Sequence, residues 1–287
     1  MIKERKVVMI KITRDLVKEK LQVIERKSDA NKKDFGHLLI CAGTEGMAGA
    51  AVMCGKGAVK SGCGLLTYYV EKEIIPILQV TLPEAMCIDL ESDPDLGKYD
   101  SVAIGPGLLN KMGPTRLERF VKEFDGPLVI DAESLNVIAK NDHFDDLTER
   151  LNNTVLTPHE GEMARMLDID YRVVRKDRQA AAKQLQKKTG AVVVLKGRNT
   201  IVASSGSMMH VNTSGNAGMA TGGSGDVLTG MIAALCCQGM NAHDAALCAV
   251  YIHGRAGDLA AGKKGMISMT AMDIIEEIPA AFCETLF

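Results

Sequence analysis

Tryptophan is absent from this 287-residue chain, and five tyrosines and six phenylalanines are its only other large aromatics. The core must therefore be built from aliphatic side chains, helped by sixteen methionines that adapt to irregular gaps. No run approaches the ~18 to 20 apolar residues of a membrane-spanning helix. Lys3, Glu4, Arg5 and Lys6 interrupt the N-terminus before a signal-peptide core can form, so the chain is expected to stay in the cytoplasm. An excess of one charge is lacking too: the net charge is -2. Nothing electrostatic then calls for nucleic acid or an anionic membrane as partner, and any phosphate-binding charge must be local.

Familiar signatures are also missing. The eight cysteines include no Cys-x-x-Cys pair and sit mostly among Ala, Val, Leu and Met, so they read as small buried hydrophobes in a reducing compartment, with metal or disulfide roles as the alternative. No Gly-x-x-x-x-Gly-Lys-Ser/Thr occurs, which excludes an ordinary P-loop ATPase. Gly105-Pro106-Gly107 lacks the third glycine of a dinucleotide fingerprint. His159 has no partner histidine at helical spacing, so no zinc motif of that kind forms, and no metal-ligating residue is assigned.

What is present is an alternation of strand-like and helical segments. Apolar runs at His37–Ala42, Leu65–Val70, Ser101–Ile104, Leu128–Ile130, Thr154–Leu156 and Ala191–Leu195 read as strands, and Thr200–Val211 reads as a hairpin about Ser204–Ser207. Ala48–Ser61, Ala242–Ala261 and Thr270–Ile278 read as helices. This pattern predicts one layered α/β domain over 36–287 with a mostly parallel sheet, preceded by a charged helical arm over 1–35. In such sheets ligands lie beyond the carboxyl ends of the strands, where the loops Gly105–Gly107, Asp131–Ala132 and Thr157–His159 fall.

The densest signal is the stretch Asn212–Asp226, a glycine-rich loop opening directly into the apolar segment Val227–Leu235. The first turn of a helix has unpaired N–H groups and the positive end of the dipole, so Gly222, Gly223, Ser224 and Gly225 suit a phosphate. Asp226 adds repulsion to an anion site. It is easier to explain as the base that takes a proton from a hydroxyl attacking phosphorus. The competing reading is an Asp/Ser helix cap after a flexible turn. Lys196-Gly197-Arg198-Asn199-Thr200 follows a buried strand and offers a cation and backbone donors to a nucleotide phosphate, or is a plain hairpin turn. His159 either caps the next helix or holds polar groups of a substrate. Asp131 either caps the helix at Ser134 or contacts a metal-bound water.

Taken together, Gly36-His37-Leu38 with Ala42-Gly43 and Gly46–Ala51, Ser61–Thr67, Ile104–Leu108, Ile130–Ala132, Leu156–Glu162, Val194–Gly197 with Thr200, and the glycine loop resemble the ADP/ATP-dependent NAD(P)H-hydrate dehydratases, a branch of the ribokinase-like superfamily. The resemblance runs from Gly36 to the C-terminus. It implies a three-layer fold and a repair reaction: ADP or ATP phosphorylates the ring hydroxyl of the S form of hydrated NADH or NADPH, and phosphate is then eliminated to restore the dihydronicotinamide. By the same likeness Lys196–Thr200 and Gly225 contact the nucleotide, while Ala50, Ala51, Gly107, His159 and Asp226 line the hydrated cofactor. Mg²⁺ is expected on the phosphates, held more by water and phosphate than by a protein cage. A homotetramer is implied as well.

Two departures loosen φ without removing a functional group: Glu160 stands where the family usually has a second proline in Pro-His-Pro-Gly-Glu, and Ala217 replaces a common proline. No epimerase domain is present in this sequence, so a separate enzyme or spontaneous reaction is expected to interconvert the R and S hydrates. The rivals are a small-molecule kinase of the same superfamily, of hydroxyethylthiazole or sugar type, and a nucleotide sensor without turnover. Asp226 argues against the sensor, since an anion receptor is better without that charge.

Overall fold

Ten strands among the described residues join in one sheet, the central ones short runs rich in Val, Ile and Leu: β1 (Val8–Lys11), β2 (His37–Cys41), β3 (Leu65–Val70), β4 (Met86–Asp89), β5 (Ser101–Ile104), β6 (Leu128–Ile130), β7 (Thr154–Leu156), β8 (Val192–Leu195), β9 (Ile201–Ala203) and β10 (Met208–Val211). The structure is a computed structural model that describes residues 8–287 apart from 25, 27, 112, 142, 143, 151, 152 and 207. The strand order is β1-β10-β9-β8-β7-β6-β5-β2-β3-β4. Every pairing is parallel except those of β9, which runs antiparallel to both β8 and β10. The expected hairpin is thus β9–β10, paired through Val202↔His210.

Twelve α-helices among the described residues cover the sheet. They are α1 (Arg14–Leu21), α2 (Ala48–Lys60), α3 (Ile75–Thr81), α4 (Pro114–Glu123), α5 (Ala132–Asn141), α6 (Phe144–Thr148), α7 (Glu160–Leu167), α8 (Tyr171–Lys176), α9 (Arg178–Thr189), α10 (Ser224–Cys237), α11 (Ala242–Lys264) and α12 (Ala271–Leu286). Because side chains alternate along a strand, each strand feeds two cores. Leu38, Ile40, Val192 and Val194 pack under α1, α2, α3 and α10 to α12, and Leu39, Cys41, Val193 and Leu195 pack under α4 to α9. The result is the expected three-layer, mostly parallel α/β fold. Central parallel strands buried on both faces explain why their sequences are continuous apolar runs.

The N-terminal arm and the last helix differ from the sequence reading, and the edge strand β4 has no counterpart in it. The chain before residue 36 has a helix, α1, but Val8–Lys11 also adds a parallel edge strand to the sheet, and Val17 and Leu21 of α1 are buried in the first core; residues 1–7 lie outside the described residues. The last helix does not stop at Ile278 but continues through Pro279 to Leu286. Pro279 faces solvent, and the buried stripe Ile274, Ile278, Ala281 and Thr285 carries the helix past it. All eight cysteines are free. Five are buried as expected, Cys63 and Cys87 are half-buried, and Cys283 is exposed.

The helix that matters for the site is α10. Twelve of its fourteen residues are buried, and the two exceptions are Gly225 and Asp226. It lies against α2 at close range because glycines face the contact: a Cβ on Gly230 would overlap the Cys54 carbonyl oxygen, and one on Gly57 would stand 2.7 Å from the Val227 carbonyl oxygen. This crossing points the N-terminus of α10 at the carboxyl ends of β5, β6 and β8.

Candidate active site

The loops after β2, β5, β6, β7 and β8 and the start of α10 meet at one end of the sheet. Asp131, the first residue after β6, is 1% exposed, and its carboxylate accepts from three donors. These are Lys196 Nζ at 2.6 Å, Thr229 Oγ1 at 2.7 Å and the Ala132 amide at 2.8 Å. Lys196 follows β8 and Thr229 lies one turn beyond Asp226 in α10, so a single carboxylate ties β6, β8 and α10 together. Glu162, buried in the first turn of α7, approaches Lys196 Nζ at 3.9 Å. A Cβ added to Gly225 would lie 3.3 Å from Lys196 Nζ, which locates the ammonium directly beside the first turn of α10.

Three acids therefore share one cation. Burial, reinforced by the charges of Asp131 and Glu162, pushes the Asp226 carboxyl up to about 7, against the pull of Lys196. Burial works against the Lys196 ammonium, but Asp131, Glu162 and Asp226 outweigh it and hold its pKa above the ordinary lysine value. At neutral pH Lys196 is charged, and Asp226 is poised between its two forms.

The glycine loop arrives as expected at a helix N-terminus. Gly223 is the N-cap, at φ 90°, and no side chain caps the helix, so the reading of Ser224 or Asp226 as a cap is excluded. Ser224 instead faces the buried His253, 3.4 Å from its Nε2. Gly222 is exposed, and Gly225 and Asp226 stand in the turn whose amides have no acceptors within the helix. The loop before it is fixed to α11: Gly215 N donates to Asp258 at 3.1 Å and Asn216 Nδ2 to the Gly257 carbonyl at 2.9 Å. These bonds hold the backbone about Ala217 where a proline was expected.

At the same end of the sheet the loops after β5 and β7 form a second wall. Gly107, at φ 67°, is so near α2 that a Cβ there would be 2.7 Å from the Ala50 Cβ. Thr44 Oγ1 donates to the Gly107 carbonyl at 3.0 Å. Ala50 thus borders the Gly107 loop, whereas Ala51 is fully buried and its carbonyl accepts from Tyr68 at 3.1 Å. His159 is the N-cap of α7, its Nδ1 accepting from the amides of Gly161 at 2.9 Å and Glu162 at 3.2 Å. The capping reading holds for this histidine. Its side chain is also 54% exposed, with Nε2 3.3 Å from Glu162.

In the turn after β8, Gly197, Arg198 and Asn199 are exposed, and Thr200 Oγ1 donates to the Gly197 carbonyl at 2.9 Å. Sequence reasoning named this turn but missed Thr229, Glu162 and Arg178, whose guanidinium lies beneath it. Thr229 carries a usable signal, since three residues after Asp226 places it near the same helix face. Arg178 carries none. No group of three His, Cys, Asp or Glu among the described residues is arranged to hold a metal ion, and no described helix is long and apolar enough to cross a membrane.

This chain matches the family model described as NAD(P)H-hydrate dehydratase over residues 38–280. It is 37% identical to the bifunctional NAD(P)H-hydrate repair enzyme Nnr of Thermofilum pendens, across 89% of this chain and 51% of that protein. The chain thus spans about half the length of such bifunctional relatives. It is 36% identical to the ADP-dependent (S)-NAD(P)H-hydrate dehydratase of Neisseria meningitidis, across 82% of this chain and 80% of the relative. Among solved structures, the ADP/ATP-dependent NAD(P)H-hydrate dehydratase of Bacillus subtilis, co-crystallised with ATP and Mg²⁺, superposes with a TM-score of 0.83 at 29% identity, covering 96% of this chain and 98% of that one. With the glycine loop, the buried Asp131–Lys196 pair and the Gly107 and His159 loops gathered at one end of a three-layer sheet, the chain belongs to the NAD(P)H-hydrate dehydratase family.

Proposed function

We propose that this protein dehydrates the S form of hydrated NADH or NADPH, using ADP or ATP as phosphoryl donor. The observation that carries the reading is Asp226, raised to about 7 in the first turn of α10, the turn beside which the Lys196 ammonium lies. Hydroxide is a poor leaving group and phosphate a good one. Asp226 takes the proton of the ring hydroxyl as its oxygen attacks the terminal phosphorus, and the shortened nucleotide departs. The lone pair of the ring nitrogen then expels phosphate, and loss of a proton from the neighbouring carbon restores the double bond.

Amides of the first turn of α10, with the glycines Gly222, Gly223 and Gly225 and Ser224, would stabilise charge on the transferred phosphoryl group, an effect typically worth ~3 to 4 kcal/mol per well-placed donor. Lys196 adds a full positive charge there. The turn Lys196–Thr200 would hold the nucleotide, and Ala50, Ala51, Gly107 and His159 would border the hydrated ring. Magnesium fits as a passenger on the nucleotide phosphates: Asp131 is already engaged by three donors, leaving few carboxylate oxygens to ligate it. When bound, it would neutralise phosphate charge. The expected setting is the cytoplasm and the expected state a homotetramer, by likeness to the family.

The assay offers hydrated NADH with ADP or ATP and follows dihydronicotinamide absorbance together with released phosphate. Recovery of absorbance with matching phosphate release is expected. A phosphorylated product that accumulates without phosphate release would point to the kinase reading instead, and no reaction with either nucleotide would sink the dehydratase reading.

A further inference from the structure

Arg178 is the first residue of α9, where the helix dipole disfavours a cation, so its place there is not explained by helix stability. Its side chain is only 17% exposed. The guanidinium donates to four main-chain carbonyls of one turn: Leu195 at 3.1 Å, Lys196 at 3.0 Å, Asn199 at 3.3 Å, and Arg198. Gly197 lets the turn close over it, since a Cβ there would lie 3.1 Å from Nη2. In a planar trans peptide the carbonyl and the following N–H point opposite ways. Drawing the carbonyls of Lys196, Arg198 and Asn199 down to Arg178 therefore turns the amides of Gly197, Asn199 and Thr200 outward. That is the arrangement an anion needs.

The same guanidinium reaches the other wall. Arg178 Nε stands 3.2 Å from Glu160 Oε1, and Glu160 directly follows His159. Tyr171 donates to the other oxygen of Glu160 at 3.0 Å. A backbone bond from the Lys196 amide to the Pro158 carbonyl at 2.9 Å runs alongside. So Glu160, which lacks the stiffness of a proline, is held by charge rather than by its ring. We propose that Arg178 is the positioning residue of the nucleotide turn, and that its ion pair with Glu160 joins this turn to the His159 loop so that the two ligands strengthen each other's binding. The identity of those ligands rests on the function proposed above.

The test uses the full chain and the variants Arg178→Lys, Arg178→Gln and Glu160→Gln, with ADP and unhydrated NADPH as probes in calorimetry. Arg178→Lys keeps the charge and loses the fork. ADP binding should weaken about 10-fold or more, as expected for several charge-assisted hydrogen bonds lost together, while NADPH binding without ADP changes little. In the native chain ADP should tighten NADPH binding about 5-fold, and Glu160→Gln should bring that factor close to one. A purely structural arginine would lower the melting temperature of Arg178→Gln and leave the affinity of folded Arg178→Lys for ADP as it was, which would overturn the positioning role. Native coupling in Glu160→Gln, or none in the native chain, would overturn the link between the walls. Failure of the native chain to bind ADP would instead remove the nucleotide assignment itself, and this inference with it.

Discussion

Replacing Asp226 with asparagine is expected to make the protein more stable while nearly abolishing its activity. The carboxyl rises from 3.8 to about 7, chiefly through burial. In the unfolded chain the group loses its proton near 3.8, but in the fold it keeps it until about 7. Between these values the native state binds more protons than the unfolded one, so stability is fully present below 3.8, declines as pH rises, and levels off above 7. Roughly three pH units at 1.36 kcal/mol each come to about 4 kcal/mol. Solvent at the partly open start of α10 screens some of this, leaving about 2 to 4 kcal/mol. Asparagine is neutral and escapes the cost. At pH 8 the Asp226→Asn variant should exceed the native protein by that amount in urea unfolding, or by about 3 to 7 °C in melting temperature for a chain this long. Near pH 4 the two should converge. Turnover should fall ~100-fold or more, the scale of a lost general base. Equal stability of the two proteins at pH 8 would refute the claim that the site holds Asp226 at a cost.

Three further outcomes follow from neighbouring contacts. The acid limb of kcat/KM for the native enzyme should centre near 7, and Asp131→Asn should move it to lower pH, because one repelling carboxylate is removed and Lys196 is released toward Asp226; a limb that stays put or rises would contradict this. Burial lowers His253 from 6.5 to about 4, so its contribution is present above 6.5 and is lost as pH falls toward 4, opposite in sign to that of Asp226. The Asp226→Asn variant should therefore lose stability on acidification over that range, by about 1.4 kcal/mol per pH unit in urea unfolding, where the native protein shows partial cancellation. Gly230→Ala should cost about 2 kcal/mol or more, since its Cβ would overlap the Cys54 carbonyl and force α10 away from α2; a melting curve unchanged by this substitution would show that the crossing relaxes freely.

Much of the fold was legible because the central strands are buried on both faces. Leu65–Val70, Ser101–Ile104, Leu128–Ile130 and Thr154–Leu156 begin and end where their apolar runs do. The strands that escaped notice are at the two edges. Val8–Lys11 and Met86–Asp89 each have one neighbour and half-buried or exposed side chains, so nothing forces an apolar run. Pro279 misled for the opposite reason: its local preference ends a helix, but the buried stripe on the other face outweighs one lost hydrogen bond. At the site, the glycine loop and Asp226 were readable as one contiguous motif. The Asp131 network was not, because its partners Lys196 and Thr229 are 65 and 98 positions away and meet only when three elements converge.

In the proposed reaction the cost of burying Asp226 is also the source of its chemistry. A carboxylate with its usual pKa of 3.8 has little affinity for the proton of an alcohol, and solvation by water keeps it that way. Burial in the first turn of α10 beside two further acids raises that affinity about a thousandfold, while keeping the group half ionised at neutral pH. Were Lys196 free to pair with Asp226 directly, the shift would be undone. Asp131 prevents this by holding the ammonium at 2.6 Å from its own oxygen, and Thr229 keeps Asp131 facing that way. In the proposed reaction the lysine would thereby stand ready for an incoming phosphate but stay committed elsewhere until one arrives. Basicity at Asp226 and instability at the start of α10 are thus one quantity, and a substitution that relieves the second must diminish the first.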